Sequence, residues 1–296
     1  MIPSLRILAS LIPLFLVTVL TAPAILHAEL KVASLSTITT DLARHIGGDK
    51  VRIAEIIRPG VDPHDFQPTT RDIRDVADAN LVLYTGKGIE GFLGKLRDSS
   101  GGTSRFLDVS GGIPSLRMTE EGGVVEDPHW WHSVSNMRRA AKNVADAFAK
   151  ADPANSRYYG TRLENLLDSY DGLERWIRVK VAELPRSQRK LVTSHDALQY
   201  FARDYGFVIL PVKGVSTGEE PSSKHVKELI GIIRREGVKS VFFESIENGR
   251  AVNQVALETG ARTGGVLYSD GLGEKEASTY DSMMRHNVCT IVDGLK

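Results

Sequence analysis

The chain has 296 residues, 42% hydrophobic and 25% charged, with 37 basic against 37 acidic side chains and therefore no net charge. These values fit a globular protein of about two domains and exclude a disordered tail, a collagen and a polytopic membrane protein. Neutrality removes the basic footprint of a nucleic-acid binder, so no nucleic-acid partner is expected. The single cysteine, Cys289, permits neither an intrachain disulfide nor a cysteine-rich zinc site.

Met1 to Arg6 is a short, positively charged start, and Ile7 to Leu26 is apolar apart from small or turn residues. With Ala22, Ala24 and Ala28 behind it, this segment reads as a secretory signal peptide, residues 1–28, cleaved after Ala28 or alternatively after Ala24. A retained anchor helix is the competing reading, opposed by Pro13 and Pro23. Removing 28 of 296 residues leaves 268 and, with Arg6 gone, a net charge of −1. No cysteine lies near the end of the apolar run, so no lipid anchor is expected there; a soluble, exported, periplasmic protein is.

Residues 29–152 read as a first lobe of alternating strands and helices. Leu30 to Leu35 and Val51 to Ile57 are expected strands, with a helix from Thr40 to Ile46 stopping at Gly47-Gly48. A helix is expected over Thr69 to Ala79, where Ile73, Val76 and Ala77 have helical spacing. Leu81 to Tyr84 is a continuous apolar run of the kind that forms buried parallel strands, and Phe106 to Val109 is another strand. Asp152-Pro153 then opens a linking helix over 153–185, closed by Pro185. About 30 helical residues span about 45 Å, enough for a rigid strut between lobes, unless Gly172 hides a break.

Alternation resumes over residues 186–296. Strands are expected at Lys190–Ser194, Phe207–Leu210, Ser240–Glu244 and Gly265–Tyr268. The helices between and after them are Asp196–Tyr205, Ser222–Arg235, Arg250–Thr259 and Ala277 to about Val292. The fold class is α/β: two lobes, each a mainly parallel sheet with flanking helices, joined by one long rigid helix. Ligands of such sheets bind beyond the carboxyl ends of strands.

Four side chains lie in such positions. His64 and His129 each end the tripeptide Asp-Pro-His, in two separate loops. His195 directly follows one strand, at the start of a helix, and Asp270 follows another. Three imidazoles and one carboxylate supply a four-coordinate site for a borderline divalent ion. Their long separations make the spacing itself unspecific; the joint placement carries the reading. His132 is the rival in its loop, as a replacement for His129 or as a hydrogen-bonding neighbour. Asp65 and Glu244 are outer partners in this reading, and Trp130-Trp131 either shield the ion or pack between the lobes. His45, His225 and His286 read as solvated or capping groups. Free histidine titrates near about 6.5, so affinity is expected to be full at neutral pH.

Taken in order, several segments resemble the metal-binding receptors of ABC importers for zinc and manganese, the cluster 9 or cluster A-I solute-binding proteins. They are Gly60-Val61-Asp62-Pro63-His64, Ala79 to Gly86 with Glu90, Asp127-Pro128-His129-Trp130, Thr193 to Ala197, Phe201 to Gly206, Phe242-Phe243-Glu244 and the Asp270 loop. The resemblance covers essentially all of the chain after residue 28. It implies metal ligands at His64, His129, His195 and Asp270, two lobes on one long helix, and a membrane permease as partner of a monomeric receptor. His195 stands where manganese receptors often carry Glu, which favours zinc. Against zinc, Gly111 to Glu126 holds only Glu120, Glu121 and Glu126 and no histidine, where many zinc receptors carry a His- and acid-rich loop. Zinc as cargo is therefore expected first, with manganese or iron as the alternative. An exported zinc hydrolase is the rival of another class; the chain lacks His-Glu-x-x-His, and a fourth protein ligand closes the position catalysis needs open.

Overall fold

The computed structural model describes residues 29–101, 104–120, 123–218, 220–246 and 249–296. The expected signal peptide lies outside them. Among the described residues no helix is long and apolar enough to cross a membrane.

Strands β1 (Leu30–Ser34), β2 (Val51–Glu55), β3 (Leu81–Tyr84) and β4 (Arg105–Asp108) form a parallel sheet in the order β2-β1-β3-β4. Leu81, Val82 and Leu83 are all buried, which is why this run is apolar without alternation. Between the strands lie α1 (Thr37–Gly47), α2 (Thr70–Ala77) and α3 (Leu93–Ser99). α1 starts three residues earlier than its apolar pattern suggests. Ser36 and Thr39 form a capping box there, satisfying two amide donors that would otherwise be orphaned. Thr69 and Asp72 do the same for α2.

The stretch before the second Asp-Pro-His is an antiparallel hairpin, β5 (Arg117–Glu120) with β6 (Gly123–Glu126). After it comes an 18-residue helix, α4 (Val134–Ala151), capped by Ser133. α5 (Ser156–Val181) follows as one unbroken helix of 26 residues. It is shorter than 153–185 at both ends. Residues 153–155 make a 3-10 turn on Pro153, and helical bonding gives way to tighter turns at Glu183 and Leu184, before Pro185.

The second lobe repeats the first. Strands β7 (Lys190–Thr193), β8 (Val208–Pro211), β9 (Ser240–Glu244) and β10 (Arg262–Leu267) are parallel in the order β10-β9-β7-β8. In each sheet the first strand sits between the second and third, so both lobes share one topology and one switch point. Helices α6 (Gln199–Tyr205), α7 (Ser223–Glu236), α8 (Arg250–Thr259) and α9 (Tyr280–Leu295) flank this sheet. α6 begins at Gln199 rather than Asp196. The amides of Asp196 and Ala197 are bonded to Gly214 O and His195 O, which holds that turn out of the helix.

One hydrophobic core runs from Leu30 to Leu295. It takes residues from both sheets, from α1, α4 and α9, and Tyr159, Leu166, Tyr170, Leu173 and Ile177 from α5. Alternate strand residues face elsewhere, as a period of two requires: Val32 joins this core, while Ala33 packs with α2 and α3 in a separate cluster. α5 packs on α1 and α4 at one end and α9 at the other, so it is a shared spine. The carboxyl ends of both sheets meet in a cleft beside it.

Candidate metal centre

The two Asp-Pro-His tripeptides are the same device. Asp62 Oδ1 accepts the His64 amide at 2.8 Å, and Asp127 Oδ1 accepts the His129 amide at 2.9 Å. Each is a turn in which an aspartate mimics a backbone acceptor two residues ahead. The intervening proline fixes φ and offers no competing donor. Both imidazoles are thereby presented from the first lobe. From the second lobe, His195 follows β7 and its amide donates to Glu244 Oε1 at 3.1 Å, while Asp270 sits in the loop after β10.

The four side chains converge. Asp270 Oδ1 lies 3.2 Å from His64 Nε2, 3.0 Å from His129 Nε2 and 3.3 Å from His195 Nε2. His129 Nε2 is also 3.4 Å from the Nε2 atoms of both other imidazoles, and all four atoms lie within 4.8 Å of one another. A tetrahedral ion with ligands at about 2.1 Å needs donor–donor edges of about 3.4 Å. The donor set thus fits a four-coordinate divalent metal in type, and the separations of 3.0–3.4 Å around Asp270 and His129 are close to such edges.

Behind the first ring stands a second. Asp127 Oδ1 accepts His129 Nδ1–H at 2.8 Å, and Glu244 Oε2 accepts His195 Nδ1–H. These carboxylates fix the tautomer that leaves each Nε2 lone pair free for a metal. Burial opposes charge on His129, yet Asp127 and Asp270 outweigh it and lift its pKa to about 9. His195 is likewise driven well above the usual histidine range: burial opposes the charge, and Asp270 and Glu244 overcome it. Burial would raise Asp270, but the histidines, His195 foremost, hold it well below the usual carboxylate range.

His132 is a neighbour rather than a member of the cluster. Its Nε2–H donates to Ser269 O at 2.8 Å, and burial lowers its pKa to about 4, so it stays neutral. Trp131 Nε1–H donates to the same carbonyl at 2.9 Å, and its ring packs edge-on to His129 with centroids 5.4 Å apart. Trp130 donates to Thr85 O. Both tryptophans are fully buried in the shared core; Trp131 packs between the lobes against His129 and shields it.

Glu244 is an outer partner, as its strand-end position suggests; Asp65 lies beside Gly218 and is not one of the four clustered donors. His45, His225 and His286 bond to the carbonyls of Asp41, Pro211 and Val266 and are not among the clustered donors. Sequence reasoning passed over Asp62, Asp127, Thr217 and Ser269. The repeated Asp-Pro-His was the available signal for the first two.

Two α/β lobes on a helical spine, closing on a buried His3Asp cluster, define a metal-binding receptor of an ABC importer rather than an enzyme. The chain belongs to the zinc-uptake complex component A family (ZnuA, periplasmic), whose profile matches residues 32–294. It is 33% identical over 276 residues to the manganese-binding lipoprotein MntA of Bacillus subtilis, covering 90% of each chain. It is 34% identical to the iron-binding protein YfeA of Yersinia pestis, covering 90% of this chain and 86% of that one. Among solved structures it resembles the periplasmic zinc-binding protein TroA of Treponema pallidum. That match has a TM-score of 0.85 and 30% identity, covering 90% of this chain and 99% of that one.

Proposed function

We propose that the protein captures zinc at His64, His129, His195 and Asp270 and hands it to a membrane permease of the ABC class. It does so as a soluble monomer in the periplasm, after loss of residues 1–28. The observation that carries the metal preference is the donor set: three imidazole nitrogens and one carboxylate oxygen gathered within 4.8 Å of one another. Manganese prefers more oxygen donors and a higher coordination number, and at shared nitrogen and oxygen donors it binds more weakly than zinc. Manganese or iron is the second reading, favoured by the names of the similar proteins MntA and YfeA.

The mechanism follows from the residues. Asp127 and Glu244 hold two imidazoles in the metal-ready tautomer. Each lobe contributes two donors, so an ion between them ties the lobes together. Release to the permease then requires the loops at the strand ends to part locally, which separates the donor pairs. The test is metal analysis of protein purified from its own compartment, with zinc–manganese competition and X-ray absorption. Zinc with four nitrogen or oxygen neighbours at about 2.0–2.1 Å is expected. A six-coordinate manganese site that outcompetes zinc overturns the reading. Asp270→Ala should weaken zinc retention while leaving three histidines in place.

A further inference from the structure

Ser269 is fully buried between β10 and Asp270, and nothing in its sequence position marks it. Its carbonyl is gripped by the opposite lobe, accepting Trp131 Nε1–H at 2.9 Å and His132 Nε2–H at 2.8 Å. Its hydroxyl lies 2.8 Å from Asp270 Oδ2 and 2.8 Å from Glu244 Oε2. A serine hydroxyl has one proton for these two acceptors. Glu244 Oε2 already receives His195 Nδ1–H, so Asp270 Oδ2 is the oxygen left in need of a donor. Oδ1 of the same carboxylate lies 3.0–3.3 Å from the three Nε2 atoms, while Oδ2 is the oxygen beside the Ser269 hydroxyl.

We propose that Ser269 is a specificity-determining positioning residue. By engaging Oδ2 it restricts Asp270 to one oxygen toward the metal, and so sets the site against ions that want a fifth or sixth donor. This inference rests on the four-coordinate reading above and names what enforces it. Zinc loses nothing by the restriction, since four donors complete its usual coordination. Manganese loses the second carboxylate oxygen it would otherwise take. Two donors from the first lobe hold the Ser269 backbone, so its hydroxyl is kept aimed at Oδ2 by a contact across the cleft.

The experiment uses the full chain without residues 1–28, with Ser269→Ala, Ser269→Thr and Ser269→Cys variants. Zinc and manganese affinities are measured by competition, and the coordination of each metal by X-ray absorption. Ser269→Ala should reduce the zinc-to-manganese affinity ratio by about 10-fold or more, the scale of effects from residues that orient ligands. Its manganese-loaded spectrum should gain a second, longer carboxylate oxygen. Ser269→Thr, which keeps a hydroxyl, should restore both. Ser269→Cys keeps the bulk with a poor donor, and serves if the alanine protein does not fold. An unchanged ratio and spectrum in Ser269→Ala, or equal weakening of both metals with unchanged coordination, overturns the inference alone. A six-coordinate, manganese-preferring wild type overturns the zinc reading and this inference with it.

Discussion

A metal must displace protons to enter this cluster, because a ligand nitrogen cannot carry one. His129 holds its proton up to about pH 9, since Asp127 and Asp270 outweigh the cost of its burial. Below that pH the metal-free protein carries the proton and the metal-bound form does not. Affinity should therefore keep climbing between about pH 7 and about pH 9, instead of levelling near the 6.5 of free histidine. Zinc titrations at pH 7.5 in buffers of different ionisation enthalpy should report release of one or more protons; no release and a flat profile would contradict the assignment. Access is the second residue-level matter. His64 is the one member whose side chain retains exposure, 9%, and Thr217 from the other lobe donates to Asp62 Oδ2 at 2.6 Å directly beside it. Thr217→Val removes that donor and leaves an uncompensated carboxylate oxygen. Zinc should then dissociate about 10-fold faster, equivalent to about 1.4 kcal/mol, by stopped-flow chelator capture. The four converging side chains were legible because strand ends and repeated tripeptides are sequence features. Ser269 and Thr217 were not, since a lone serine or threonine acquires meaning only from what another lobe places beside it.

At the level of elements, strands were easier to read than the helices of the first lobe. β9 and α8 match their expected bounds to the residue, as apolar runs and a closing glycine define them. α4 was passed over, although Met137, Ala140, Ala141, Val144, Ala145 and Phe148 fall at helical spacing. Three of the eight residues of its buried face are alanine, which carries little hydrophobic contrast, and the tryptophan pair ahead of it dominates the local pattern. The β5–β6 hairpin was likewise hidden. Its strands have four residues each, and its sequence alternates too briefly to stand out. Gly172 in α5 raised the question of a break, and the helix runs through it without one. A side chain placed there meets nothing within 4 Å. Its effect is thus confined to backbone freedom, which costs about 0.5–1 kcal/mol relative to alanine. Gly172→Ala should raise the thermal midpoint by a few degrees with zinc affinity unchanged, read by circular dichroism and competition titration; a drop in stability would mean the position needs its flexibility.

For the whole molecule the shared core decides how the lobes behave. Receptors hinged on flexible strands close around a ligand through few contacts, whereas here α5 is buried against helices from both lobes. The same core contains Leu30 from the first strand and Leu295 from the last helix, so neither lobe owns it. Further ties cross the cleft without metal: Leu272 N–H donates to Thr37 Oγ1 at 2.7 Å, and Tyr280 O–H to Trp131 O at 2.9 Å. Opening wide would break these bonds and expose part of a common interior. Movement on metal release is then a local parting of loops at the strand ends. Two measurements follow. Solution scattering with and without zinc should give nearly the same radius of gyration, about 18 Å for 268 compact residues. Calorimetry should show one unfolding transition in both forms, because a core shared by two lobes cannot melt in halves. Zinc at 100 times its dissociation constant should stabilise that single transition by about 2.7 kcal/mol. Two separable transitions, or a marked compaction on zinc binding, would mean that the lobes are independent bodies and that α5 is a hinge rather than a spine.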